Sequence, residues 1–183
     1  MSYNWIMDPI KNLNKEQMLK ALMALDQYLS APLTLIVGGG SAMILAHQFP
    51  LATTDIDAIP KGLEINELDR LVKMVAHDLN LPIDWLNTYY STFTYTLPID
   101  YSTRLEPVFK GTHISALALG KSDMLIMKCY AHRSKDVAHA KALVKSGADT
   151  DFVEKHIQKL LEKRIPKSQQ ALDFFNDILD QMG

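Results

Sequence analysis

The sequence predicts an α/β (α+β) fold with helices packed on a small sheet and a C-terminal region that is helical throughout. Three observations carry this. Short apolar, β-rich runs at 33–37, 54–59, 106–109 and 113–119 have the length and the bounding turns of strands. Segments 15–29 and 64–79 instead repeat apolar residues at helical spacing. Beyond residue 121 only helical patterns follow. The chain then divides into an N-terminal helical segment, 1–32, that packs on the core, a core at 33–120, and a helical region at 121–183. With 183 residues, 48% of them hydrophobic and 22% charged, it suits one domain with a real core and a few appended helices.

Residues 1–13 show no regular pattern and contain Pro9. Asn14 caps the helix over 15–29, whose Met18, Leu22, Leu25 and Leu29 fall on one side and cover a sheet face. Ser30-Ala31-Pro32 breaks it, and 33–37 is the near-continuous apolar run of a buried strand. A helix over 41–47 ends at Gln48-Phe49-Pro50, because the residue before proline avoids the helical region. A strand at 54–59 runs into a turn at Pro60-Lys61-Gly62. The next helix, 64–79, carries Leu68, Leu71, Val72, Val75 and Leu79 on one side. Residues 81–87 read in part as a third strand or a strand–turn segment. The Thr- and Tyr-rich stretch 89–97 reads as extended or loop, with a helical start after Asn87 as the alternative. Strands 106–109 and 113–119 meet near Gly111. Ser122 caps a long helix reaching Lys145, stopped by Gly147. Helices at 151–163 and 168–181 flank Ile165-Pro166.

Composition excludes several classes. The net charge of −2 and the lack of a strongly basic run argue against a protein built to grip long nucleic acid, though they leave a local basic groove open. The single cysteine, Cys129, rules out an intramolecular disulfide and a Cys-rich zinc site. Among the six histidines, His132 and His139 stand seven apart on one helix, which misses the i, i+4 metal pair, and His47 and His113 stand alone. Trp85 and the tyrosines at 89, 90, 95 and 101 suit packing more than base stacking. No secretory signal pattern opens the chain and no apolar stretch is long enough for a membrane span, so the expectation is a soluble, cytoplasmic protein with no membrane partner.

The chemistry gathers in Leu35-Ile36-Val37-Gly38-Gly39-Gly40-Ser41-Ala42 and, thirteen residues after Ser41, in Asp55-Ile56-Asp57. In an extended segment side chains i and i+2 share a face, so Asp55 and Asp57 point the same way. Two carboxylates that close repel, and a hard divalent cation, Mg²⁺ or Mn²⁺, relieves the repulsion while completing its shell with water and substrate phosphate. The glycines let backbone approach an anion, and helix N-terminal N–H groups bind phosphate. A second constellation lies in the helix after Ser122. There Lys128, His132, Lys135, Asp136 and His139 fall along one side of a continuous helix, where they read either as a solvated face or as a cationic wall for a nucleotide.

Gly39-Gly40-Ser41 followed by Asp55-Ile56-Asp57 resembles the signature of the nucleotidyltransferase superfamily that includes DNA polymerase β. Leu125-x-x-Lys128-x-x-Ala131-x-Arg133-x-Lys135-Asp136 is similar to a C-terminal motif of a bacterial subgroup that includes the toxins of abortive-infection toxin–antitoxin systems. The likeness spans residues 33–147 and implies a mixed sheet of the nucleotidyltransferase type. It implies Mg²⁺-dependent (or Mn²⁺-dependent) transfer of an NMP from an NTP such as ATP to an acceptor of unknown kind: RNA or tRNA, a protein, or a small molecule. An antitoxin partner is implied with it. In that reading Asp55 and Asp57 hold metal, Gly39, Gly40 and Ser41 position phosphates, and Lys128, Arg133 and Lys135 offset their charge. Lys128 and Asp136 match active-site positions of the toxins. A third carboxylate is expected on a later strand. Asp84 is the first candidate for it, with a helix N-cap as its other reading, and Asp100 and Glu106 are further alternatives. The sequence departs from the pattern at Leu51, where the subgroup often has a basic residue, and at His139, where the toxins often have a second Asp. These departures keep open a weakly active or inactive nucleotide-binding or interaction module on the same fold.

Overall fold

The computed structural model describes residues 12–50, 52–88 and 94–183. Pro9, Leu51, Tyr89 and Tyr90 lie outside them, as does most of the predicted irregular 1–13 and part of 89–97. Helix α1, Lys15–Tyr28, starts at Asn14 with a reciprocal capping box: Asn14 Oδ1 accepts the Gln17 N–H and Gln17 Oε1 accepts the Asn14 N–H, both at 2.9 Å. It buries Met18, Ala21, Leu22 and Leu25 and packs beside α3, Ile65–Leu79, which buries Leu68, Leu71, Val72, Val75 and Ala76. The Asn80 backbone is left-handed and ends α3.

Among the described residues five strands form one mixed sheet: β1 (Leu33–Val37), β2 (Ile56–Lys61), β3 (Leu86–Asn87), β4 (Glu106–Lys110) and β5 (Ile114–Ala118). Their order is β3-β2-β1-β5-β4, with β1/β5 and β2/β3 parallel and β1/β2 and β4/β5 antiparallel. Central β1 is buried at four of its five residues, as its apolar run predicts. The short helix α2, Gly39–Leu45, leaves β1 directly. Asp26 of α1 ties the β4–β5 turn down by accepting the N–H groups of Thr112, His113 and Ile114 at 2.7–2.8 Å.

Three elements differ from the sequence expectation. Helix α2 begins two residues earlier than predicted, at Gly39, and ends at Leu45. Pro60 and Lys61 continue β2 instead of turning, pairing with Leu35 and Thr34. Among the described residues β3 pairs with β2 at Ile56 and Asp57, short of Pro60. The long helix over 122–145 is two helices, α4 (Lys121–Ala131) and α5 (Ser134–Lys145). His132 takes a left-handed conformation (φ 35°) at the break, and the Asp136 carboxylate accepts the Arg133 N–H at 3.1 Å, capping the start of α5. Ser122 does not cap α4: its Oγ accepts the Asp149 N–H instead. Asp149 in turn caps α6, Thr150–Glu162, and α7, Ser168–Asp180, follows. Helices α4, α5, α6 and α7 pack on one another around buried Tyr130, whose hydroxyl pairs with Ser168 Oγ at 2.6 Å.

Candidate active site

The β1–α2 junction and the start of β2 meet at one place. Asp57 Oδ2 sits directly over Gly39: a Cβ on that residue would lie 2.1 Å from the oxygen, and φ at Gly39 is +58°. Both facts demand glycine. Gly40 is also close-fitting, with a Cβ there 3.2 Å from Thr53 Oγ1. Ser41 is fully buried and its hydroxyl is engaged within the fold, donating to Gly38 O at 2.8 Å and accepting the Asp57 N–H at 3.1 Å. Its visible role is thus to clamp α2 onto β2 and set the height of Asp57 above Gly39.

Strand alternation does what the period demands. Ile56 and Ala58 are fully buried, and Asp57 emerges on the opposite face. Asp55 lies just before β2. The two carboxylates feel each other. Burial and then the Asp55 charge push Asp57 up to about 6, while Asn87, Lys128 and Lys135 oppose the rise. Burial and then the Asp84 charge also raise Asp55. Asp84 itself is exposed in the turn before β3 and reaches Asp55 through charge rather than by lining the cavity beside it. The β3 residue beside Asp57 is Asn87, in parallel register with it, and Asn87 Nδ2 donates to Asp57 Oδ1 at 2.9 Å. Asp100 and Glu106 are engaged elsewhere: Asp100 pairs with Arg104, and Glu106 opens β4 at 4.0 Å from His47 Nδ1.

Across a cavity of about 440 Å³ stand Lys128, Arg133, Lys135 and His139. The break between α4 and α5 brings Lys128 to Asp136, with Nζ to Oδ1 at 3.1 Å, both nearly or fully buried. Arg133 Nε meets Asp136 Oδ2 at 2.7 Å. Burial pushes Asp136 upward, but the Arg133 hydrogen bond and the Lys128 charge outweigh it and hold the carboxyl below its usual range. Burial lowers Lys128, and Asp136 pulls it back only in part. His132 was expected on this wall. It is exposed at the break, with Nδ1 3.0 Å from Tyr130 O.

The chain matches, over residues 15–178, the family described as a nucleotidyltransferase of unknown function (DUF6036). It belongs to that family. No curated protein and no solved structure matches it. The family makes this chain a nucleotidyltransferase by class and leaves its acceptor open.

In this nucleotidyltransferase the structure brings Gly39, Gly40, Asp55, Asp57, Lys128, Arg133 and Lys135 around one cavity, with Asp136 enclosed behind Lys128. Sequence reasoning missed two contributors, Asn87 and Phe49, and gave Thr53 only as a kept position of the family pattern. Asn87 carries no sequence signal of its own, since only the β2/β3 register sets it beside Asp57. Thr53 frames Gly40, and its backbone pairs both ways with Leu13, which anchors the segment before α1 to the rim. Phe49 was read only as part of a helix stop, yet its ring lies edge-to-face on His139 at 4.8 Å. Trp85 is core, its indole donating to Val72 O at 3.0 Å. Among the described residues no cluster of three or more His, Cys, Asp or Glu is arranged to hold a metal, and no helix is long and apolar enough to cross a membrane.

Proposed function

We propose that this nucleotidyltransferase transfers an NMP from a Mg²⁺-bound NTP to an acceptor hydroxyl or phosphate, the acceptor oxygen bonding the α-phosphorus as the α–β anhydride breaks and pyrophosphate leaves. The observation that carries the reading is the confrontation across the cavity: two partly buried, mutually repelling carboxylates on one wall, and Lys128, Arg133 and Lys135 on the other. The donor set fits Mg²⁺, which binds through one or two carboxylates and takes its remaining ligands from water and phosphate. Asp55 and Asp57 would hold the ion, and when bound it would offset charge on the triphosphate and on the attacking oxygen. The chain's own groups do the rest. Gly39 and Gly40 let the phosphates approach the backbone. Lys128 and Lys135 screen them, and Arg133 offers a planar guanidinium. Asp136 holds Lys128 charged and in place against the burial that would neutralise it. Asn87 orients Asp57. Asp84 adds negative charge near Asp55. The resemblance to abortive-infection toxins adds RNA or tRNA, and an antitoxin partner, to the acceptors and partners worth testing.

A second reading, a nucleotide-binding or interaction module without efficient chemistry, is favoured by one observation: the β3 residue in register with Asp57 is the neutral Asn87. Isothermal titration of each NTP with Mg²⁺ into the wild type and Asp55→Ala/Asp57→Ala is the first test. The expected result is binding that needs both Mg²⁺ and the aspartates, followed by labelled-NMP transfer into a cell extract. Binding without transfer favours the module, and binding that survives the double substitution removes the aspartates from the site.

A further inference from the structure

Helix α2 runs along the cavity wall. Gly39 and Gly40 stand at its charged end, and Ile44 lies about 7 Å further on, at 1.5 Å per residue. Past the end of α2 Phe49 joins Ile44 in the lining, and Met127 and Ala131 of α4 and His139 of α5 belong to the same cavity as Lys128, Arg133 and Lys135. An NTP is likewise mixed in character, a polyanion joined through ribose to a flat aromatic base. His139 stands where the apolar lining meets the Lys128–Asp136 pair. Its side chain is 9% exposed, and Phe49 packs edge-to-face on its ring. Nδ1 is enclosed and has no hydrogen-bond partner among the described residues, but it faces Asp136 Oδ1 at 3.8 Å. A carboxylate on that side favours the proton on Nδ1, which leaves Nε2 with its lone pair as the nitrogen a ligand can meet.

Building on the NTP reading above, we propose that the apolar lining around Phe49 takes the nucleobase and that His139 reads it, Nε2 accepting a hydrogen bond from the exocyclic amino group of adenine or cytosine. Guanine and uracil carry a carbonyl at the equivalent position, which sets lone pair against lone pair. The ring is kept neutral for this task. Burial first, then the Lys128, Lys135 and Arg133 charges, push His139 down to about 4, against the pull of Asp136. Phe49 supplies sequence-tolerant aromatic contact.

The experiment titrates the four NTPs and inorganic tripolyphosphate, each with Mg²⁺, into the wild type, His139→Phe and Phe49→Leu. The wild type is expected to bind ATP and CTP roughly three- to tenfold more tightly than GTP and UTP, the worth of one neutral hydrogen bond. His139→Phe keeps an aromatic ring but loses the acceptor. It should bring the four NTPs to within about twofold of one another while tripolyphosphate binding, which also reports that the variant is folded, stays as it was. Phe49→Leu should weaken all four NTPs and preserve their order. A wild type without amino-base preference, a preference that survives in His139→Phe, or an equal loss of NTPs and tripolyphosphate in that variant overturns the assignment of His139. Failure of the wild type to bind any NTP or tripolyphosphate overturns the NTP reading beneath it.

Discussion

Asp57 on β2 and Asp136 on α5 belong to the same site and live in opposite surroundings. Asp136 is fully enclosed, with the Arg133 guanidinium on one oxygen and the Lys128 ammonium on the other, and its carboxyl is held below the usual range. Asp57 accepts from the neutral amide of Asn87, faces Asp55, and is pushed up to about 6. The Asp136 charge of the α4–α5 wall is therefore answered within the fold, by Lys128 and Arg133. The wall formed by β2 and the start of α2 is unfinished, with repulsion that folding alone does not relieve. Such unrelieved charge in a cleft is where ligand binding gains most, because the ligand removes a penalty already present.

That contrast gives opposite signs on mutation. Asp136→Asn leaves Lys128 buried with no full counter-charge, and removing one partner of a buried ion pair costs about 3–5 kcal/mol. Denaturant melts should show the loss without Mg²⁺ or nucleotide. Asp57→Asn removes the repulsion. Metal-free stability should hold or rise, by about 1–2 kcal/mol at neutral pH after allowing for solvent screening. NMP transfer should nonetheless fall by about 10²–10³-fold, the scale on which one electrostatic contact to a transition state is lost. Two variants that move stability in the same direction would erase the distinction between the walls.

The pH dependence of metal-free stability sharpens it. Asp57 has its folded value raised from 3.8 to about 6, so its contribution is whole below about pH 3.8 and is lost as pH rises through 6. His139 has its folded value lowered from 6.5 to about 4, so its contribution is whole above pH 6.5 and is lost as pH falls toward 4. Each is worth about 3 kcal/mol before screening, and less once solvent screening is allowed for. The two slopes oppose each other between pH 4 and 6 and flatten the wild-type profile. Relative to wild type, Asp57→Asn should gain stability as pH rises across that window, and His139→Phe should lose it. Parallel profiles in all three proteins would show that neither group is perturbed by its wall.

The two walls also differed in how much the sequence disclosed. Leu33–Val37 is a strand because an apolar run of five between breakers has few other uses, and Asn14 with Gln17 is a cap legible from spacing alone. The meeting of Gly39 with Asp57 follows from the strand period and a tight β1–α2 turn, both local. The α4–α5 break is not local. Ala131-His132-Arg133-Ser134-Lys135 holds no proline or glycine, so the pattern reads as continuous helix. What stabilises the bend is the Asp136 carboxylate, capping Arg133 and pairing with Lys128 eight residues back, a contact that exists only once the bend has formed. The neutral partner of Asp57 was hidden for another reason: an asparagine on a two-residue strand carries no pattern until register places it there.

That asparagine supplies the smallest and most discriminating perturbation. Asn87→Asp replaces the donor to Asp57 Oδ1 with a third carboxylate on the unfinished wall. Without metal the variant loses one hydrogen bond to a charged group and adds repulsion, which should lower stability by about 1–3 kcal/mol. If Asp55 and Asp57 hold Mg²⁺, the added carboxylate is one more hard oxygen ligand, and Mg²⁺ should restore more stability to the variant than it adds to the wild type. Melts across a Mg²⁺ series decide it. An equal Mg²⁺ response in the two proteins would place the ion away from β2 and β3, whereas a larger response with transfer also increased would identify Asn87 as the residue that limits catalysis here.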